Sequence, residues 1–281
     1  LGDSFIRYKN LDLPNDLEKL VAPPDGIKHN LLNESNEKEI IEAMKRSIQI
    51  MQNNGTRIFC DFREGGMDGL KIIKKALAAT HIKSILLSRP KNLECESKEI
   101  KELLKNSDGI GLSSISDWNY SYLSEIAKEA KKKNKIFAIH ASERIREDID
   151  KILDLKPNFL VHMNKATKSD LIKVKENNIP IVICPRSNKF FGMKPNYKLL
   201  KKTKIELLLG TDNCMLNSPN ILDEIKFLMY QTDVFSFESI LKMATISPRK
   251  ALNLRPVIPS LKHAADFIVI EKKTKNILYI S

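Results

Sequence analysis

Seven short apolar runs, rich in Ile and separated by about one helix each, constrain this chain more than any other feature. They lie at 58–60, 84–88, 109–112, 136–140, 159–162, 179–184 and 205–209. The stretches between them carry helical periodicity. Over 36–53, Ile40, Ile41, Met44, Ile48 and Met51 recur on one helical face. Further helices are expected over 67–79, 97–106, 120–133 and near 143–154. Another is opened by the capping-box pattern Thr167-Lys168-Ser169-Asp170. Ser218-Pro219 places a cap residue before a first-turn proline, so helices are expected near 219–230 and 236–245. Strands alternating with helices imply βαβ units and a parallel sheet. Short, Ile-rich strands suit a sheet covered on both faces. The count is accommodated by a (β/α)8 TIM-type barrel lacking part of its first strand. A doubly wound open sheet is the alternative, weakened by the absence of GxGxxG and GxxxxGK[ST].

The chain changes character near residue 256. Ala265 to Ile270 and Ile277 to Ile280 read as two strands, with Lys273 to Asn276 between them. Two strands alone are marginal. The expected organisation is therefore a barrel over 1–255, with 256–281 supplying remnants of an accessory β-sandwich.

Composition narrows the function. The 281 residues include 47 Lys or Arg against 35 Asp or Glu, a net charge of +12. The lysines are scattered through helical segments and are not interleaved with aromatics, which points to a solvated surface and not to nucleic-acid contact. No apolar run approaches the roughly 20 residues of a membrane span, and no secretory signal is visible. Four separated cysteines, Cys60, Cys95, Cys184 and Cys214, suit reduced thiols in a cytoplasmic protein. The first residue is Leu1, not Met, so an upstream segment is expected to be missing.

Chemically useful residues close three of the strands: His140 with Ala141-Ser142-Glu143, His162, and Gly210-Thr211-Asp212. His140 to His162 is 22 residues, His162 to Cys184 is 22, and Cys184 to Asp212 is 28. Each gap is one βα unit, so these residues recur at the carboxyl ends of successive parallel strands, where barrel active sites are built. Two His and one Asp at one rim have the composition of a catalytic metal site. A lone His in a loop, or a lone Asp at a helix cap, is ordinarily structural; the joint recurrence is what carries weight. His29, His81 and His263 lack such strand contexts. Cys184 precedes Pro185 and is expected to be packed and not nucleophilic.

These residues resemble the amidohydrolase superfamily, in particular its aminohydrolase branch of cytosine deaminase-like, adenosine deaminase-like and chlorohydrolase-like enzymes. The matching pieces are His140-Ala141-Ser142-Glu143, His162, Cys184-Pro185-Arg186-Ser187-Asn188 and Gly210-Thr211-Asp212-Asn213. Ala244-Thr245 with Pro248 to Leu252, and Ala265 to Val269, match two further motifs. The resemblance implies a barrel with one divalent metal, zinc or alternatively iron. His140 would be the fifth-strand ligand and Asp212 the eighth-strand ligand. His162 would orient the attacking hydroxide, and Glu143 would shuttle a proton. The segment Gly109 to Ser114 contains no Lys, which favours one metal over two. The HxH pair of the family is absent from these residues. The resemblance thus implies a chain starting just after those ligands and holding metal weakly or not at all. The implied reaction is hydrolysis of a C–N bond, as in deamination of an aminated heterocycle or nucleoside; a catalytically incomplete barrel serving as a scaffold is the alternative. Arg63, Trp118, Arg186 and Asn188 are the candidate substrate-binding residues, although either Arg also suits a structural rim ion pair. Expected partners are a small-molecule substrate and a second copy of the chain in a homodimer, with neither nucleic acid nor membrane.

Overall fold

The computed structural model describes residues 1–23, 25–94, 96–255, 267–271 and 273–280. Seven strands form one sheet: β1 (Ile58–Arg63), β2 (Lys83–Ser88), β3 (Gly109–Leu112), β4 (Ile136–Ala141), β5 (Phe159–His162), β6 (Ile181–Ile183) and β7 (Leu207–Leu209). They hydrogen-bond in sequence order and every pairing is parallel. A helix follows each strand, as the alternating pattern requires. Sequential parallel order with all crossovers of one kind curls the sheet around an interior. Leu87, Ala138, Phe159, Val161 and Cys184, from three strands and a strand end, meet there as one buried cluster.

A larger apolar layer lies outside the sheet, under the helices. The helix Glu37–Asn53 shows why. Asn36 caps it by accepting from the Glu39 amide at 2.8 Å. Its apolar face then buries Ile40, Met44, Ile48 and Met51. Burial of each such side chain contributes about 1.5–3 kcal/mol. The capping box at Thr167 forms as the sequence suggests, with Asp170 returning a bond to the Thr167 amide at 2.9 Å.

Several boundaries differ from the sequence reading. The helix after β4 begins at Ile149, because Asp148 caps it and residues 142–147 form a loop. The helix expected from Ser218-Pro219 begins at Ile221, with Asn220 as its cap. Strands β6 and β7 start two residues late, at Ile181 and Leu207, since Ile179 and Ile205 are buried outside the ladder.

Strands β8 (Ile268–Ile270) and β9 (Ile277–Ile280) form an antiparallel hairpin that pairs with no other strand among the described residues. Ile268, Ile270 and Ile277 pack on the main core, while Leu278 and Tyr279 face outward. Ala265, Asp266 and His263 lie outside the described residues. Among the described residues no helix is long and apolar enough to cross a membrane.

Candidate active site

Parallel strands deliver the residues that follow them to one rim. At the ends of β4 and β5, and after β7, stand His140, His162 and Asp212. One donor atom from each lies within 4.8 Å of the other two. No other such group of three is found among the described residues.

The backbone at this rim is unusual. Ser142, His162, Met163 and Asp212 have φ of +45°, +76°, +59° and +58°. Left-handed backbone is uncommon for residues other than glycine. Elsewhere Asn134, Lys156, Asn178, Lys204 and Asn253 adopt it just past helix ends, where it is routine. No helix ends at the rim residues. Strain held at strand ends that carry titratable groups is the kind that functional sites retain.

The two imidazoles are fixed differently. His140 donates through Nδ1 to the Leu112 carbonyl on β3 at 2.8 Å, leaving Nε2 as the lone-pair nitrogen. Phe62 sits edge-on against its ring at 4.9 Å. Glycine at 111 makes that possible: a Cβ there would fall 2.5 Å from the Phe62 ring. Burial lowers the His140 pKa. His162 is only 2% exposed, and burial pushes its pKa down to about 3, so the ring is neutral. Its Nε2 is 3.3 Å from Glu143 Oε1. Its Nδ1 is buried without a hydrogen-bond partner.

Glu143 is desolvated, and Asp212 is a neighbouring negative charge; both push its carboxyl well above the usual range and favour the protonated acid. Asp212 accepts the Ser187 hydroxyl at Oδ2, 2.5 Å away. The loop carrying Glu143 is pinned by Glu147. That carboxylate takes the Ser142 amide at 2.7 Å and the Ser116 amide at 2.8 Å, and the Ser142 hydroxyl accepts the Glu147 amide at 3.1 Å. Nothing in the local pattern marked Glu147, and Ser187 entered only as a member of the Cys184 to Asn188 match; each acts on a residue brought close by the fold.

The donor set suits a divalent ion. Both rings favour the neutral, lone-pair form, Asp212 supplies a carboxylate, and an unpartnered imidazole nitrogen is what a ligand position leaves behind. Two donors on one zinc stand at most about 4.2 Å apart, given bonds of roughly 2.1 Å. His162, expected only to orient the nucleophile, is grouped by the structure with the other two donors.

These residues open into a cavity of about 820 Å³, whose walls also include Phe62, Arg63, Asp117 and Arg144. Arg63 is there, but already paired with Asp61 and Glu64, both at 3.5 Å. The other three substrate-binding candidates do not line the cavity. Trp118 is packed in the outer core, its Nε1 donating to Ser113 at 2.9 Å. Arg186 is bound to buried Glu224 and to the Ser218 carbonyl, the structural ion pair that was the other reading of this residue. Asn188 is buried and accepts from Asn164 at 2.7 Å. Cys184 is buried in the inner cluster, and burial raises its thiol pKa well above the usual value.

The model of the family described as "Amidohydrolase family" matches residues 3–279. An uncharacterized protein of Methanocaldococcus jannaschii is 37% identical over 278 residues, spanning 92% of this chain and 71% of that protein. A 5-methylthioadenosine/S-adenosylhomocysteine deaminase of Thermoanaerobacter pseudethanolicus is 30% identical over 178 residues, which cover 54% of this chain and 41% of that protein. Among solved structures, an adenosine deaminase from Xanthomonas campestris with bound zinc shares the fold with a TM-score of 0.70 at 13% identity, over 90% of this chain and 65% of that chain.

Proposed function

The chain belongs to the amidohydrolase family, and from that premise we propose that it hydrolyses a non-peptide C–N bond, releasing ammonia from an aminated heterocycle or nucleoside. The observation that carries this reading is the convergence of His140, His162 and Asp212 beside a carboxyl, Glu143, that favours its protonated form. In this reading the seven-stranded sheet and its helices belong to a (β/α)8-type unit, and the β8–β9 hairpin is a remnant of an accessory β-sandwich.

His140, Asp212 and, from its place in the cluster, His162 are the residues that would hold a divalent metal, zinc or alternatively iron. When bound, such an ion supplies Lewis acidity that brings the deprotonation of water within reach of neutral pH. The remaining chemistry falls to the chain's own groups. Asp212 Oδ2 is occupied by Ser187, so Oδ1 is the oxygen free to take a proton from the attacking water. Water oxygen bonds to the amine-bearing carbon. Glu143 delivers its proton to the ring nitrogen; the proton taken by Asp212 passes to the amine, the C–N bond breaks and ammonia leaves, and the new hydroxyl returns its proton to Glu143 as it becomes a carbonyl. Neutral His162 keeps Glu143 aligned without competing as an acid. A positioned acid or base contributes about 10²–10⁴-fold in such reactions.

The test is an ammonia-release screen over aminopurines, aminopyrimidines and their nucleosides, with zinc or iron(II) supplied. Release that disappears in Glu143→Gln while the fold persists supports the reading. A folded, metal-supplied chain that releases ammonia from none of them contradicts it and leaves the scaffold alternative.

A further inference from the structure

The opposite wall of the cavity, at the carboxyl ends of β1 and β2, is built from charge. Glu64 follows β1, Arg89 follows β2, and Lys28 comes from the helix Ile27–Glu34. Lys28 Nζ and Arg89 Nη2 both reach Glu64 Oε1, the arginine at 3.2 Å. Arg63 Nη2 stands 3.5 Å from Glu64 Oε2. Three cations therefore share one carboxylate. Burial would raise the pKa of Glu64, but Lys28, Arg89 and Arg63 hold it well below the usual range. Arg63 has a second acid, Asp61, at 3.5 Å. Among the described residues, Lys28 and Arg89 have no acidic partner but Glu64.

That leaves donors unspent in a confined place. Lys28 is only 6% exposed, yet it lines the cavity, as Arg89 does. The Arg89 guanidinium makes one side-chain bond through Nη2, leaving Nε and Nη1 without a hydrogen-bond partner among the described residues. Buried positive charge in excess of its acids is costly unless another anion completes it. The reactive half of the rim feels this excess: Arg89 and Lys28 both oppose a proton on His140, and Lys28 favours the ionised form of Glu143. The cation pair thus stands within electrostatic reach of the groups proposed for the chemistry, across one continuous cavity.

We infer that Lys28 and Arg89 form an anion subsite, and that the substrate carries a carboxylate or phosphate at the end remote from its amine. The inference rests on the deaminase reading for the word substrate, but the subsite itself does not. Arg presents a planar fork suited to either oxyanion, and Lys adds a point charge beside it. Glu64 has the complementary task of holding both cations in place when no anion is present.

The subsite can be read without turnover. Calorimetric titration of the full chain with inorganic phosphate, and separately with acetate, is compared with Arg89→Met and Lys28→Met, with melting curves to verify the fold. Arg89→Lys serves as a second variant that keeps the charge and removes the fork. The expected result is at least tenfold weaker anion binding in Arg89→Met and Lys28→Met, with a smaller loss in Arg89→Lys. Whichever of phosphate and acetate binds more tightly identifies the substituent. In the ammonia screen, anionic members should exceed their neutral counterparts in kcat/KM by tenfold or more. Anion affinity unchanged in folded Arg89→Met and Lys28→Met overturns the inference, and so does equal turnover of neutral and anionic amines. Anion binding lost in the variants, with no amine turned over by any form, supports the subsite and contradicts the deaminase reading instead.

Discussion

Glu143 and Glu64 stand on the same rim, each at the end of a strand and each largely enclosed, yet their carboxyls are driven in opposite directions. Glu143 meets a second acid, Asp212, and favours its proton. Glu64 meets Lys28, Arg89 and Arg63 and is held ionised. The β4–β7 half keeps Glu143 and His162 neutral around the Asp212 carboxylate, the histidine with its pKa pushed down to about 3. The β1–β2 half keeps its groups charged. Neutral acids and bases move protons, whereas fixed charges orient anions. One cavity thus divides reaction from recognition along its rim.

The same isosteric change should therefore have opposite consequences on the two sides. Glu143→Gln removes a proton donor, and turnover should fall about 10²–10⁴-fold. Its stability should rise at neutral pH. The raised folded pKa means that Glu143 contributes stability fully below the ordinary value of 4.5 and loses it as pH rises through the folded value. Glutamine escapes that loss. Glu64→Gln should instead destabilise the fold by about 3–5 kcal/mol, because three cations lose their shared acid. Urea unfolding of both variants at pH 7.5 measures the contrast. Equal signs for the two would break it.

The positions of these halves differed in how legible they were. The reactive half was readable because its residues close apolar runs one βα unit apart, a pattern that local sequence carries. The charged half was legible only at Arg63, a substrate-binding candidate at the end of β1, since Lys28, Glu64 and Arg89 lie on three separate elements and meet only through the curl of the sheet. Long-range partners defeat local reading in the same way elsewhere. Arg186 follows a strand and looked available, but buried Glu224, 38 residues on, claims it. The alternating pattern placed a helix near 143–154, a span that includes Ile145. That residue is in fact 58% exposed on a loop whose shape is set by Glu147.

A smaller effect sharpens the comparison through pH. The depressed pKa of His162 means its contribution to stability is fully present above about pH 6.5 and is lost as pH falls toward 3. Asp170, paired with Arg146, has its pKa lowered to about 2, so it holds its contribution to lower pH before losing it. Urea midpoints between pH 7 and 4 should decline in the parent chain and decline less in His162→Gln. An unchanged slope in that variant would place the acid sensitivity elsewhere. Smallest of all, Cys184→Ala should lower stability by about 1 kcal/mol and leave kcat within about twofold, as packing loss without chemistry requires. A loss of turnover like that of Asp212→Asn would make the thiol a participant.

The division of the rim is tested most directly by finding where a divalent ion sits. Crystals soaked in zinc and measured across the zinc absorption edge should show an anomalous peak within about 2.0–2.3 Å of His140 and Asp212 donor atoms. Position is the readout, so weak binding does not obscure it. Zinc found only outside the rim, with the His140 and Asp212 donors vacant, would contradict the assignment of β4–β7 as the reactive half.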